Sequence, residues 1–263
     1  MKYIASVSGG KDSCASLILA AEKREPLDEV VYCEVMFDAE TSGEMPEHIE
    51  FINTRLKPFV ERELQVPFVH LRSKKTYLDA FNHIITRGDS KGKTHGFPLP
   101  QMCLINRDCK IPPISEYWKR IEEDVIQYVG IASDEVKRNK RLEGTNKMSL
   151  LVKYGYTEKA AKELCSKYGL LSPIYEFTKR NGCWFCPNCK ESEFAHMIYN
   201  HPKLFDRLVD LESTPNLYRR CLTVTETPSQ IKRRILLTGL QPTFFDMEKE
   251  LENANIHKRT QNP

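Results

Sequence analysis

The fold of this chain is decided by residues 3–13, which read Tyr3-Ile4-Ala5-Ser6-Val7-Ser8-Gly9-Gly10-Lys11-Asp12-Ser13. An apolar run leads straight into two adjacent glycines, and a helical pattern follows them. Adjacent glycines allow positive φ and a close approach of the backbone to a ligand, and the following helix presents unpaired N–H groups and the positive end of its dipole. The stretch therefore predicts a strand, an anion-binding turn and a helix, in which Ser8 and Ser13 add hydroxyl donors and Lys11 adds a charge.

The composition is that of a globular protein with a core of its own. The chain has 263 residues, of which 40% are hydrophobic, enough for one large domain or for one domain with a small appendage. Its 39 basic and 36 acidic residues give a net charge of +3, which does not by itself indicate a nucleic-acid partner. No apolar run is long enough to span a bilayer and no signal-peptide pattern opens the sequence, so we expect a cytoplasmic protein with no membrane partner.

The order of apolar and amphipathic segments predicts an α/β fold. Short apolar runs predict strands at residues 2–7, 30–36, 66–70 and 126–132, and helical patterns lie between them at 12–23, 46–64 and 76–86. This alternation is typical of a doubly wound, mostly parallel, Rossmann-like sheet, with ligands at the carboxyl ends of its strands. Helical patterns take over after residue 155, at 157–168, 191–199, 202–211 and 228–237. We therefore expect an α/β domain at residues 1–155 and a helical C-terminal portion at 156–263 that contains a cysteine cluster.

The spacing from Ser8 to Ser13, S-G-G-x-D-S, fits neither the Walker pattern nor the Rossmann fingerprint. It resembles the PP-loop of the adenine nucleotide α-hydrolase superfamily, whose members cleave or hold nucleotides at the α-phosphate. The alternative is a glycine turn that only starts a helix. The resemblance implies that ATP binds with Mg²⁺, with Asp12 and Asp38 as candidate Mg²⁺ ligands and Lys11 and Asp12 as catalytic residues. The residues expected to contact the nucleotide here are Ser6, Ser8, Gly9, Gly10, Lys11, Asp12 and Ser13.

Three further segments resemble the branch of that superfamily that contains the phosphoadenosine-phosphosulfate (PAPS) reductases, over roughly residues 1–190. A fourth, at residues 171–189, resembles the P-L/I-Y…G-C-W-x-C-P element of that branch and of DNA phosphorothioation sulfurtransferase-like proteins. Phe37 and Asp38 end the second predicted strand, and Gly43-Glu44-Met45-Pro46-Glu47 follows, as in the branch's D-T-G-x-x-x-P-E segment. Residues 107–114 resemble the branch's cysteine-bearing C-x-x-x-K-x-x-P stretch, whose lysine reaches the phosphates, so Lys110 is expected to be catalytic. This stretch ends a predicted loop at 88–114.

The third segment, residues 128–141, resembles the branch's G-x-R-x-x-E-S-x-x-R segment. Ala132 replaces the first arginine, so Arg138 and Arg141 are the expected phosphate contacts. The structural alternative is a capped loop before a helix for the first segment and a surface loop with two incidental cysteines for the second. In the third, Lys137 and Lys140 could simply face solvent.

Nine cysteines in an intracellular chain favour metal binding, redox chemistry or burial over disulfides. Cys14, Cys33, Cys165 and Cys221 are scattered among apolar or helical surroundings and predict core positions. Cys183, Cys186 and Cys189 form C-x-x-C-x-x-C after Gly182, a spacing that lets three thiolates bind one metal centre. The family resemblance makes Cys103 the expected fourth ligand, with Cys109 as its alternative and Cys165 and His196 as runners-up. A [4Fe–4S] cluster is favoured over Zn²⁺.

The resemblance implies an ATP pyrophosphatase that releases AMP and pyrophosphate while it adenylates an acceptor for sulfur transfer. The acceptor is open among tRNA, DNA and a small molecule, because the basic runs at 137–141 and 232–234 favour nucleic acid only mildly, and a sulfur-donor protein is an expected partner.

Two alternative functions stay open. A sulfonucleotide reductase-like oxidoreductase would need Cys103 or Cys109 in place of the E-C-G-L-H tail of PAPS reductases, since no cysteine follows Cys221. The other alternative is a non-catalytic nucleotide-binding protein with a structural metal.

Overall fold

The computed structural model describes residues 1–100 and 103–239, which divide into two compact units. The first unit comprises Met1–Tyr77 and Ile105–Ile174. The second unit takes in Leu78–Leu104 and the chain from Tyr175 onward. None of the helices in the described part of the chain is both long enough and apolar enough to cross a membrane.

The strands among the described residues are β1 (Lys2–Val7), β2 (Glu29–Glu34), β3 (Phe68–Arg72), β4 (Thr94–Gly96), β5 (Val125–Val129), β6 (Lys147–Met148) and β7 (Leu217–Arg219). The helices are α1 (Lys11–Glu22), α2 (Pro46–Phe51), α3 (Tyr77–Phe81), α4 (Ile111–Lys119), α5 (Val136–Asn139), α6 (Leu150–Lys153), α7 (Glu158–Lys167), α8 (Glu191–Asn200), α9 (Pro202–Leu211) and α10 (Pro228–Thr238). Ile52–Leu56, Phe59–Glu63 and Asn106–Lys110 are π-helical, and Lys140–Leu142 and Pro173–Glu176 are 3₁₀ turns.

The first unit is built on a five-stranded sheet in the order β3-β2-β1-β5-β6, and every neighbouring pair is parallel. All six residues of β2 are buried, as expected of an inner strand in a parallel sheet covered on both faces. Strand order runs outward from β1 through β2 to β3 and then resumes on the other side of β1 with β5. The topological switch point, where doubly wound folds bind ligands, therefore lies at the carboxyl ends of β1 and β5.

Helix α1 connects this sheet to its covering helices. Its residues 13–20 are all buried, and α6 and α7 pack against it. Because α7 belongs to the first unit, that unit runs past the boundary expected at residue 155.

In the second unit, β4 and β7 form a two-stranded parallel sheet in which Thr94 pairs with Leu217 and Gly96 with Arg219. Helices α8, α9 and α10 pack against one another, and the rings of Phe194 and Phe205 meet edge to face between α8 and α9. Trp184, inside the C-x-x-C-x-x-C segment, is fully buried.

The α/β class with a mostly parallel sheet is confirmed, and so are its first, second, third and fifth strands within a few residues. The expected helix at 76–86 is wrong beyond Phe81, because Ile84 pairs with Thr94 in an isolated antiparallel bridge. The expected loop at 88–114 contains β4 and the start of α4, whose two prolines stand in the first helical turn, where missing N–H groups cost nothing. The sequence does not predict the short strands β6 and β7, because each has too few residues to show a periodic pattern.

Candidate nucleotide site and cysteine cluster

Residues 8–13, referred to below as the 8–13 turn, follow β1 at the switch point. Gly9 has φ of +73°, a left-handed conformation, and Gly10 is the N-cap of α1. The Ser8 N–H donates to Ser13 Oγ at 3.3 Å, and the Ser13 hydroxyl donates to the Gly10 carbonyl at 2.9 Å. The Gly10 N–H donates to Ser8 Oγ at 3.4 Å. These contacts give the turn a defined shape at the positive end of a twelve-residue helix.

Gly130, directly after β5, lets the turn lie close to the neighbouring strand. A Cβ at this position would lie 2.5 Å from the backbone nitrogen of Ser13 and 2.7 Å from the carbonyl carbon of Asp12. Any side chain here would displace the start of α1. Residues 128–141, whose family resemblance predicts phosphate contacts, therefore contact the 8–13 turn directly at Gly130.

His48 on α2 contacts the turn from the other side. It is fully buried, and its Nε2 lies 2.9 Å from the Ser8 carbonyl while its Nδ1 lies 2.8 Å from Ser172 Oγ. Burial lowers the pKa of His48, against the opposing effect of Glu44, and the Lys110 ammonium lowers it further. Sequence reasoning missed His48, and its only signal was its place directly after Pro46-Glu47 in a segment expected to meet the nucleotide.

Lys11 and Asp12, both predicted site residues, form an ion pair at the start of α1. Lys11 Nζ lies 2.9 and 2.8 Å from the two carboxylate oxygens of Asp12 and 3.0 Å from Glu158 Oε1. Burial lowers the pKa of Lys11, but hydrogen bonds to Asp12 and Glu158 outweigh it and leave the pKa raised. Burial raises the pKa of Asp12 in spite of Lys11, and the charges of Glu158 and Glu135 add to that rise.

Asp12, Glu135 and Glu158 each offer a carboxylate oxygen, and these oxygens lie within 4.8 Å of one another. Oxygen ligands of this kind suit Mg²⁺, whose charge would offset the repulsion among them. Glu135 and Glu158 were not predicted, because they come from separate segments that only the fold brings to Asp12.

Asp38, a predicted site residue, lies in the loop after β2. One of its oxygens, Oδ1, accepts the N–H groups of Glu40 and Thr41, at 2.9 and 2.6 Å, so it shapes the loop after β2. The neighbouring Phe37 is buried and stacks on Tyr77 with ring centroids 5.2 Å apart.

The other predicted site residues lie in the first unit as well. Ser6 Oγ accepts from Gln127 Nε2 at 2.7 Å across β1 and β5. Lys110 is half-buried, and its charge acts on His48 and on Cys33. Arg138 donates to Glu135 Oε1 at 2.6 Å, which brings it to the carboxylate group described above, and Arg141 is exposed.

Cys183, Cys186 and Cys189 lie on two successive turns of the second unit. The Cys186 N–H donates to the Cys183 carbonyl at 3.1 Å and the Cys189 N–H to the Cys186 carbonyl at 3.0 Å. The Cys189 thiol also lies 3.6 Å from the Cys183 carbonyl, and Arg180 Nη2 lies 3.8 Å from its sulfur.

The electrostatics of this cluster favour a thiolate at Cys186 and a thiol at Cys189. A hydrogen bond from Cys189 and the charge of Arg180 lower the pKa of Cys186 to about 6, against the effect of burial. The same hydrogen bond, together with burial, raises the pKa of Cys189. Soft thiolate donors beside a cation fit a zinc or iron–sulfur centre, because the guanidinium offsets the negative charge that such a centre carries.

The candidates for the fourth ligand differ in their surroundings. Cys103 is exposed and belongs to the second unit, as do the three cluster cysteines. Cys109 is buried in the first unit, where its thiol donates to the Thr76 carbonyl at 3.5 Å.

The smaller basic runs are engaged within the second unit. Arg219 donates to the Cys221 carbonyl at 3.1 Å, Lys232 pairs with Asp206, and Arg234 pairs with Glu226 at 2.8 Å. These cations therefore have acceptors within the second unit, as on an ordinary solvated face.

The chain matches no protein-family model and no curated protein. Among solved structures it is similar to a U34-tRNA thiolase, NcsA from Methanococcus maripaludis with its [4Fe-4S] cluster, at 17% sequence identity and a TM-score of 0.40. That match covers 89% of this chain and 81% of the thiolase chain.

Proposed function

We propose that this protein is an ATP-dependent enzyme that cleaves ATP at the α-phosphate to activate an acceptor for sulfur transfer. The observation that carries the proposal is the 8–13 turn, which stands at the switch point of the parallel sheet with Gly9 left-handed and α1 beginning directly behind it. A polyphosphate placed there would meet backbone N–H groups, the helix dipole and the Lys11 ammonium together.

The reaction has two steps. An acceptor oxygen attacks the α-phosphorus of ATP, the bond to the β-phosphate oxygen breaks, and pyrophosphate leaves. Hydrosulfide, free or supplied by a sulfur-donor protein, then attacks the acceptor carbon, and AMP leaves with the acceptor oxygen. The protein needs no nucleophile of its own for the first step, because positioning and charge neutralisation lower the barrier.

Residues of the first unit supply this positioning. Ser8, Gly9, Gly10 and Ser13 bind the pyrophosphate portion, and Lys11 neutralises its charge, with Lys110 acting from the segment before α4. Asp12 with Glu135 and Glu158 would hold Mg²⁺, and Asp38 stays a proposed further ligand of the same ion.

Cys183, Cys186 and Cys189 would hold a [4Fe–4S] cluster or Zn²⁺, with Cys103 as the proposed fourth ligand. A bound cluster would supply a thiophilic site for sulfide. Arg180 keeps positive charge beside these thiols.

The proposed acceptor is a polyanion, tRNA or DNA, in preference to a small molecule. Lys137, Lys140 and Arg141 are exposed on the segment after β5, in the same unit as the turn. Phosphate groups of a nucleic acid are the natural partners of such a cationic segment.

Nucleotide binding tests the proposal. Titration calorimetry with magnesium–ATP should give saturable binding to the wild type, and Lys11→Ala should weaken it about tenfold or more, since one charge-assisted contact contributes about 1.5–3 kcal/mol. Lys159→Ala, an exposed lysine of α7, is the matched control and should bind like the wild type. Equal affinities in all three proteins, or no binding to the wild type, would overturn the proposal.

A further inference from the structure

His48 makes two hydrogen bonds, and one of them fixes the direction of the Ser8–Gly9 peptide group in the 8–13 turn. A carbonyl oxygen can only accept, so the contact of 2.9 Å with the Ser8 carbonyl assigns the ring proton to Nε2. The unprotonated Nδ1 then accepts from the Ser172 hydroxyl at 2.8 Å. This fixes both the tautomer and the orientation of a ring that is fully buried.

The direction of the Ser8 carbonyl determines the direction of the next N–H. The described chain contains no cis peptide bond, and in a trans peptide the C=O and N–H point in opposite directions. Since the Ser8 carbonyl points to His48, the Gly9 N–H points away from it. Among the described residues the Gly9 N–H donates no hydrogen bond, although Gly9 is buried.

The ring also occupies the space beside Gly9. A Cβ on Gly9 would lie 2.8 Å from His48 Cε1 and 3.0 Å from its Nε2. The imidazole therefore packs against the glycine as well as holding the preceding carbonyl, and it prevents the Ser8–Gly9 peptide from turning over. A carbonyl that turned over would face the bound anion and repel it.

We infer that His48, held by Ser172, is a positioning residue that aims the Gly9 N–H at the phosphate chain of the nucleotide. This inference rests on the proposed function and deepens it. It also explains why two distant segments, the one that continues Pro46-Glu47 and the one that contains Ser172-Pro173, meet beneath the turn.

Two conservative substitutions separate the two ring nitrogens. In His48→Gln the side-chain NH₂ can take the place of Nε2 and donate to the Ser8 carbonyl, whereas in His48→Asn the shorter side chain reaches only the position of Nδ1. Ser172→Ala removes the contact that orients the ring. His83→Asn and His83→Gln are the matched controls, because His83 is exposed and lies in the other unit.

Calorimetric titration of all variants with magnesium–ATP and with inorganic pyrophosphate gives the first readout. We expect His48→Asn to lose about tenfold in affinity for both ligands, the size expected when one hydrogen bond to a charged group, from the Gly9 N–H to phosphate, is lost. His48→Gln should stay within about threefold of the wild type, Ser172→Ala should fall between them, and the His83 variants should not change.

The amide resonance of Gly9 gives a readout that a purely structural role would not move. On adding pyrophosphate, the Gly9 proton should shift downfield in the wild type and in His48→Gln but not in His48→Asn. Unchanged binding by His48→Asn would overturn the inference. So would equal losses in both His48 variants that parallel a fall in Tm, since His48 would then act through packing alone. If the wild type binds neither ligand, both the proposed function and the inference fail. If the wild type binds the ligands and the His48 variants bind them with the same affinity, only the inference fails.

Discussion

Gly9 is the residue at which the 8–13 turn tolerates least change. Two separate constraints meet there: φ is +73°, and a Cβ would lie 2.3 Å from Ile52 Cδ1 as well as against His48. Gly155 has nearly the same φ, +72°, but nothing lies within 4 Å of the Cβ position. The pair therefore separates the cost of a left-handed backbone from the cost of a clash.

Alanine at these two glycines should have unequal effects. We expect Gly155→Ala to lower the free energy of unfolding by about 1–2 kcal/mol, the cost of a left-handed alanine. Gly9→Ala should lose about 1–3 kcal/mol more through overpacking and should abolish ATP binding. Urea denaturation and calorimetry measure the two effects. Equal destabilisation of both variants, with ATP binding kept in Gly9→Ala, would show that the turn has room for a Cβ at position 9.

The roles of single residues near the 8–13 turn could be predicted from the sequence only where the residues belong to a local motif. Gly9, Gly10 and Lys11 belong to one continuous motif, so their spacing alone indicated an anion site. Glu135, Glu158 and His48 have no such motif, because each is an ordinary residue of its own segment and acquires its role from distant neighbours.

Strands β2 and β3 are joined at their carboxyl ends by a charged group. Glu34, almost fully buried, accepts from His70 Nε2 at 2.8 Å and from Arg72 Nε at 2.7 Å. Burial raises the pKa of Glu34, but hydrogen bonds from His70, Ser42 and Arg72 outweigh burial and bring the pKa down to about 2. The ordinary pKa of 4.5 applies once the chain unfolds.

The stability of the first unit should therefore depend on pH through this group. A carboxylate with a lowered pKa stabilises the fold above its unfolded pKa, and that contribution is lost as pH falls through about 4.5 towards 2. Glu34→Gln should be less stable near neutral pH and show a flatter decline over that acid range. Urea unfolding at a series of pH values measures both. Glu61→Gln, which alters an exposed pair with Lys57, is the control. Parallel pH profiles for wild type and Glu34→Gln would refute the assignment.

Element types followed from periodicity where a segment was long enough. The apolar run before Ser8 and the amphipathic segment at 157–168 were predicted to within a residue or two. The pairing of β4 with β7 was not, because three-residue strands far apart in sequence carry no pattern and depend on tertiary contacts.

Across the whole molecule, chemistry is divided between two compact units. The first contains the residues proposed to bind the nucleotide and the second contains the C-x-x-C-x-x-C segment. The sequence predicts a domain boundary at residue 155, where the apolar patterns of strands stop. The first unit continues to Ile174 because α7 packs on α1. Sequence patterns alone do not reveal on which side of a sheet a late helix packs.

Metal content should depend on the cluster cysteines and not on the scattered ones. We expect anaerobically purified wild type to contain iron and sulfide or zinc, and Cys186→Ser to lose most of it, because a hydroxyl is a much poorer ligand than a thiolate for such centres. Cys221→Ser, a half-buried cysteine of the same unit, should keep its metal. Elemental analysis with an absorption spectrum decides between iron and zinc. Equal metal content in both variants would show that the cysteine triplet does not bind the metal.

The products formed from ATP report most directly which phosphorus is attacked. Anaerobically purified protein is incubated with α-labelled ATP, Mg²⁺, sulfide and, separately, total tRNA, DNA or a small-molecule extract, and the nucleotides are separated by ion exchange. We expect labelled AMP and an equal amount of pyrophosphate with one of these acceptors, lost in Lys11→Ala and kept in Lys159→Ala. Formation of ADP and phosphate, or ATP left intact with all three acceptor classes, would contradict attack at the α-phosphate.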